Sequence, residues 1–453
     1  LLFTKFHRAR LLAKAWAESP LVRQYFSNAG WMLANRAAWI VSAVTVGVYV
    51  ARKLGPHNFG ILNFAMALTG LFAIIPLVEA DKIVIRQLVA EPHRRDRWLG
   101  NLFLLRLILI SITGIALAVT LWWIHTTVQI ITLCIILGIG YIGVLLQGTE
   151  AYFQATVQSK YVALPGLITC LINTVVRGFA AYQQWPLEVF AAAEATNLLF
   201  YFLGSSAFYW YRVASPSLWN WSWKETWALF RSALPLTITS VLTIVYARTD
   251  QLMLEYFWGS TAVGYYSIVT RISENLVLGA SLLAVSFFPA IISAKQISNA
   301  AYVKQLHRLY FLVFWTMAVA AGITMLLGKP FIVVLFGSVY MPAVPVLRIH
   351  IWTLLAAALL RVFSQWAINE KRIPLIAWAF FSGALINVFL NYWLIPLIGI
   401  TGAAWSSLLA MPLGLFLTLS AQADGRKHLQ LVLRSILTLP SFRLNEHPPP
   451  KTD

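Results

Sequence analysis

Residues 266–281 read "YSIVTRISENLVLGAS", which places Arg271, Ser273, Glu274 and Asn275 in the middle of a long apolar stretch. A charged side chain at the centre of a bilayer costs about 2.5–3.5 kcal/mol or more, so such groups are kept where something polar must be held or passed. Five more arginines share this setting: Arg36, Arg106, Arg177, Arg348 and Arg361, and no lysine joins them. Arginine keeps its charge and presents a planar fork of donors that suits phosphate and carboxylate oxygens. Arg36, Arg271, Arg106, Arg177 and Arg361 are therefore the candidate substrate-binding cations, whereas Arg348, near a span end, is expected to snorkel to water. Carboxylates are fewer, with Glu79, Glu194, Asp250 and Glu274 within or at the ends of apolar stretches. A buried carboxylate can carry a proton or bind Na⁺, which makes Glu274, Glu194 and Asp250 the candidates for ion coupling.

Each of these groups also has a structural reading. Arg271 and Glu274 are three residues apart on one helix face and can neutralise each other. Arg177 can pair with Glu194, which lies at a similar depth on the next stretch. Asn35, Ser267 and Asn275 are candidate polar residues of a cavity. Asn28, Ser42 and Thr45 continue the stripe of Asn35, Thr270 continues that of Ser267, and Asn387 and Asn391 form another; hydrogen bonding between helices is the alternative for all. His350 reads as an interface anchor. Cys134 and Cys170 fit neither a disulfide framework nor a metal site. The sequence holds no phosphate-loop motif and no Cys/His ligand spacing, so no ATP, metal or other cofactor is expected.

The elements that position these residues follow from composition. Of 453 residues 59% are hydrophobic and 11% charged, whereas soluble chains are about 25% charged. The membrane is the solvent. Stretches of about 20 apolar residues, the length needed to span, fall near 28–50, 58–78, 99–121, 127–147, 161–182, 187–211, 233–256, 261–291, 308–328, 343–367, 374–395 and 399–420. Basic residues orient such a chain. With the N-terminus inside, 24 of the 34 lysines and arginines fall on the inner side and four on the outer. That asymmetry predicts twelve spans with both termini cytoplasmic. It also accounts for the net charge of +18 without nucleic acid. By this count Arg36 and Arg106 lie about 12 Å in from the cytoplasmic side. The outer connections are short, which argues for transport over catalysis.

Residues 1–27, with "LLFTKFHRARLLAKAW", read as a cytoplasmic amphipathic segment on an anionic leaflet. Gly55 and Gly60 of "LGPHNFGILNF" match Gly259 and Gly264 of "WGSTAVGYYSI" at an offset of 204 residues. The match follows the first and seventh spans, so it predicts two six-helix lobes, 28–213 and 233–420, related by a pseudo-twofold along the membrane normal. The Trp-rich stretch 214–232 reads as an interfacial linker, and 421–453 as a cytoplasmic tail.

Four stretches resemble, in order, those of one family. "ARKLGPHNFGILNFAMAL", "VEADKIVIRQL", "RTDQLMLEYFWGSTAVGYYSIVTRISE" and "INVFLNYWLIPLIGITGAAWSS" are similar to the polysaccharide biosynthesis proteins, the O-antigen and lipid-linked oligosaccharide flippases. That family lies within the multidrug/oligosaccharidyl-lipid/polysaccharide exporter superfamily. The resemblance implies an all-α integral membrane fold of two lobes around a central cavity. It implies as substrate a polyprenyl-diphosphate-linked oligosaccharide, flipped from the inner to the outer leaflet of a bacterial cytoplasmic membrane for O-antigen, capsule or exopolysaccharide assembly. A polysaccharide polymerase and chain-length machinery are the implied partners beside membrane lipids. The resemblance implies an extra pair of C-terminal helices in many members; after Ala421 "LQLVLRSILTLP" is the apolar stretch, too short to span, so that pair is not expected within 421–453. The rivals are a multidrug exporter of the same superfamily, whose cavity should favour carboxylates, and an integral membrane glycosyltransferase or polymerase.

Overall fold

The computed structural model describes residues 20–77 and 79–438. Most of the residues expected to form the amphipathic N-terminal segment lie outside the described residues, as does the tail beyond 438. Among the described residues every regular element is helical. In chain order they are α1 (Pro20–Ala73), α2 (Ala80–Ala90), α3 (Arg95–Trp123), α4 (Val128–Gly140), α5 (Gly148–Ala155), α6 (Lys160–Tyr182) and α7 (Leu187–Arg212). There follow α8 (Trp223–Ile297), α9 (Asn299–Phe336), α10 (Ala343–His350), α11 (Thr353–Asn369), α12 (Ile373–Ile398), α13 (Ile400–Ser420) and α14 (Ala423–Leu437). Helices satisfy their own backbone groups, as lipid demands. Ten helical stretches among the described residues are long and apolar enough to cross a membrane. The chain is an all-α, multi-pass membrane protein.

The two longest helices are broken. α1 breaks at Gly55 (φ 70°, ψ 170°) and α8 at Gly259 (φ 75°, ψ 179°). Residues with a Cβ rarely adopt that backbone, so glycine is what allows each break. Pro56 restarts the first helix from a position where its missing N–H costs nothing. Ser260 stands at the second restart and donates its hydroxyl to Glu255 Oε1 at 2.7 Å. Each break falls between two expected stretches, 28–50 and 58–78 in α1 and 233–256 and 261–291 in α8. Several boundaries differ from expectation, α1 already beginning at Pro20 and α9 at Asn299. The second segment stops at Ala73 rather than 78, because Pro76 lacks an N–H and its ring displaces the preceding turn. α8 begins at Trp223, inside the expected linker, and α9 runs through Pro330 to Phe336.

Contacts gather the chain into two compact units. The first comprises residues up to Gly264 with Val334–Tyr340, the second Tyr265–Val333 and the chain from Met341. In the first, α1 packs on α6, α4 and α6 on α7, and α2 on α5. Ala80, Val84 and Leu88 of α2 meet Leu99, Leu102 and Leu105 of α3, Phe153 of α5 and Tyr209 of α7 in one buried core. Glu225, at the start of α8, accepts from Arg94 at 2.9 Å and Arg97 at 2.8 Å, which ties the expected linker to this unit. In the second, α12 and α13 form the main helix pair. The tail helix α14 is seated by His428, which stacks on Trp366 at 3.8 Å.

Candidate functional site

The arginines at membrane depth fall into distinct environments. Arg106 of α3 is fully buried and donates through Nη2 to Asp81 Oδ1 of α2. Arg177 of α6 donates to Glu194 of α7, with 12% and 20% of the two side chains exposed. Adjacent antiparallel helices bring the second pair to one depth, as the sequence spacing allows. Each guanidinium is thus matched by a carboxylate within the first unit.

Arg36 on α1, Arg361 on α11 and Arg348 on α10 are exposed, and their side chains have no hydrogen-bond or ion-pair partner among the described residues. Arg271 is half-buried on α8, with Glu274 exposed one turn on. Asn275 donates to the Arg271 carbonyl at 2.8 Å. Asp250 and Ser267 are buried at 3% and 1% exposure, the first beside Tyr246.

Most of the polar stripe on α1 serves helix packing. Asn28 Oδ1 accepts from Ser159 N–H at 2.6 Å, and Ser42 pairs with Thr174 at 2.6 Å. The Asn35 amide lies over Gly166 of α6, where no Cβ intervenes. On α12, Asn391 donates to Asn387 at 3.0 Å, and Asn387 to Ser407 of α13 at 3.4 Å. His350 is buried, its Nδ1 2.9 Å from Ser273 Oγ.

Sequence reasoning missed Asp81 as the partner of Arg106, and missed Glu150 of α5 beside them. Glu150 accepts from Gln154 at 3.0 Å and from the Tyr201 hydroxyl of α7. Burial, with Asp81 nearby, pushes the Glu150 carboxyl up to about 7. Burial also raises Asp81, against the opposing pull of Arg106. A usable signal was present. Both carboxylates follow closely on the ends of expected apolar stretches, 58–78 and 127–147, and Arg106 comes eight residues into the next stretch after Asp81.

Ten apolar helical stretches among the described residues, two of them broken at matched glycines, define a multi-pass membrane protein. The polysaccharide biosynthesis protein family matches residues 27–295, more than half of the chain, and the chain belongs to that family. It is similar to the probable flippase AglR of Haloferax volcanii, at 23% identity over 410 residues that cover 86% of this chain and 81% of that protein. In fold it resembles the lipid II flippase MurJ in an inward closed conformation, with a TM-score of 0.66 at 14% identity over 91% of each chain. It also resembles an inward-facing multidrug resistance MATE family transporter of the MOP superfamily. There the TM-score is 0.60 at 15% identity, over 87% of this chain and 96% of the other.

Proposed function

We propose that the chain is a secondary transporter that flips a polyprenyl-diphosphate-linked oligosaccharide by alternating access. The movement runs from the cytoplasmic to the outer leaflet of a bacterial cytoplasmic membrane, for assembly of a cell-surface polysaccharide. Twelve crossings, cytoplasmic termini and two lobes, 28–213 and 233–420, belong to this reading. The observation that carries it is the exposure of Arg36 and Arg361 without side-chain partners among the described residues. A bare guanidinium at membrane depth is too costly to leave in hydrocarbon, so it needs water or an anion. A diphosphate offers oxygens that match its donor fork. The naming of a family relative as a probable flippase agrees. Arg271 joins these two as a proposed head-group contact, while Arg106 and Arg177 are engaged by carboxylates.

The test is flipping by the purified chain in liposomes that hold a polyprenyl-diphosphate-linked oligosaccharide. Arg36→Ala and Arg361→Ala are each expected to slow flipping roughly tenfold or more, the loss of one charge-assisted contact of about 1.5–3 kcal/mol. Unchanged rates in both would overturn the reading. For Arg271, rescue of Arg271→Ala by adding Glu274→Gln would reduce that residue to a structural partner of Glu274.

A further inference from the structure

Arg106, Asp81 and Glu150 converge from α3, α2 and α5 into the apolar core of the first unit. Arg106 has no exposed surface, and only its Nη2 is bonded, to Asp81; Nε and Nη1 are buried with no partner. A buried charged donor left unmet is costly. Two acids lie within electrostatic reach of this one guanidinium, Asp81 bonded to it and Glu150 not. The set is neutral when one of the two acids holds a proton.

We propose that Asp81, Arg106 and Glu150 form a proton-binding site in which Arg106 changes carboxylate partner as Glu150 gains or loses its proton. With the proton on Glu150, Arg106 holds Asp81, and Glu150 rests on Gln154 and Tyr201. On release only the O–H bond of Glu150 breaks, and the proton passes to water through the open side of the site, where Asp81 keeps 21% of its side chain exposed. The new carboxylate then supplies the acceptor that Nη1 and Nε lack. The raised affinity of Glu150 for its proton, near pH 7, has the sign this exchange needs.

The exchange has a route outward. Glu79, two residues before Asp81, binds Lys82 at 2.6 Å and accepts from Ser240 Oγ of α8 at 2.9 Å. Glu79 raises and Lys82 lowers Asp81, so both belong to the electrostatics of the site. Loosening Asp81 from Arg106 releases the start of α2 and, through Glu79, its hold on α8. The residues of the site are not those proposed to meet substrate. Its use in transport rests on the flippase reading, but its protonation does not.

The test uses the full chain, purified in detergent without substrate. Infrared difference spectra against pH follow the protonated-carboxyl band, and hydrogen exchange follows residues 80–90 over the same range. The wild-type band is expected to vanish with a midpoint near pH 7, with exchange of α2 changing in step. Glu150→Gln, nearly isosteric, should remove both changes. Asp81→Asn should lower the midpoint, because it removes a neighbouring negative charge and frees Arg106 for Glu150. A band that persists in Glu150→Gln, or no titration between about pH 5 and 9, overturns the proposal. A chain that shows the titration but flips no lipid-linked oligosaccharide leaves the site standing and sinks the transport reading instead.

Discussion

His57 Nδ1 and Thr261 Oγ1, 204 residues apart, lie 3.2 Å from each other. The separation equals the offset that relates Gly55 to Gly259 and Gly60 to Gly264. Two equivalent positions that touch lie on a local twofold axis. The neighbouring contacts obey the same operation: Gly60 sits against the backbone of Ser260 and Gly264, and Gly264 against that of Pro56. The two glycine-broken turns are therefore self-paired.

A Cβ on Gly60 would strike the Ser260 carbonyl, and one on Gly264 the Pro56 carbonyl. Backbone atoms cannot swing aside as side-chain ends do, so Gly60→Ala and Gly264→Ala are each expected to cost about 1–3 kcal/mol. Gly114→Ala, inside α3 with nothing within 4 Å of the added carbon, is the control and is expected to lose no stability. Thermal unfolding in detergent reads the difference. If transport parts this contact, oxidising His57→Cys/Thr261→Cys will stop flipping and reduction will restore it. Continued flipping by fully cross-linked protein would show that the turns stay together.

The proposed topology has a direct check. Cys134 and Cys170 are buried free thiols, so a polar thiol reagent reports the introduced cysteine. Thr126→Cys, Gln184→Cys and Trp258→Cys should label from outside intact cells. Arg94→Cys, Ser222→Cys and Gln430→Cys should label only after permeabilisation. Outside labelling at 430 would overturn the count of twelve or its direction.

The positions of the apolar segments and the matched glycine breaks were legible in the sequence because length, hydropathy and backbone freedom are local properties. The Arg177–Glu194 pair was legible too, since consecutive helices joined by a short turn bring residues of equal depth together. Asp81 as the partner of Arg106 was not, because it depends on how α2 lies against α3 after the turn at Pro76. The stripe of Asn28, Asn35 and Ser42 was visible as a periodicity. Which neighbour it faced was not, since polar spacing suits a cavity and a packed helix equally; α6 turned out to receive it.

The Arg177–Glu194 pair can be weighed by removing one charge and then both. Arg177→Met leaves a largely buried carboxylate without its cation. Breaking such a pair typically costs about 3–5 kcal/mol, whereas replacing both charges by apolar groups of similar size is often neutral. Arg177→Met is therefore expected to unfold well below the wild type in detergent, and Arg177→Met/Glu194→Met to recover most of the loss. A double variant as weak as the single one would show that the arginine's role lies beyond Glu194.

His428 predicts an acid-sensitive tail helix. Its ring is buried on α14, stacked on Trp366, with Nε2 2.8 Å from the Tyr310 hydroxyl. The ring is neutral, and burial lowers its affinity for a proton from the usual 6.5 to about 3. Between those two values the unfolded chain binds a proton at this site and the folded chain does not. Stability from His428 is thus complete above about pH 6.5 and is lost as the pH falls, by about 1.4 kcal/mol per pH unit at full slope. Glu150 works in the opposite sense, losing its contribution as the pH rises through 7, so the two must be separated by comparing variants. His428→Gln keeps a polar group beside Tyr310 but cannot titrate. Between about pH 7 and pH 5 the unfolding temperature of the wild type should fall more steeply than that of His428→Gln, with hydrogen exchange rising first in 423–437. Parallel slopes would show that α14 is held without regard to the charge on His428.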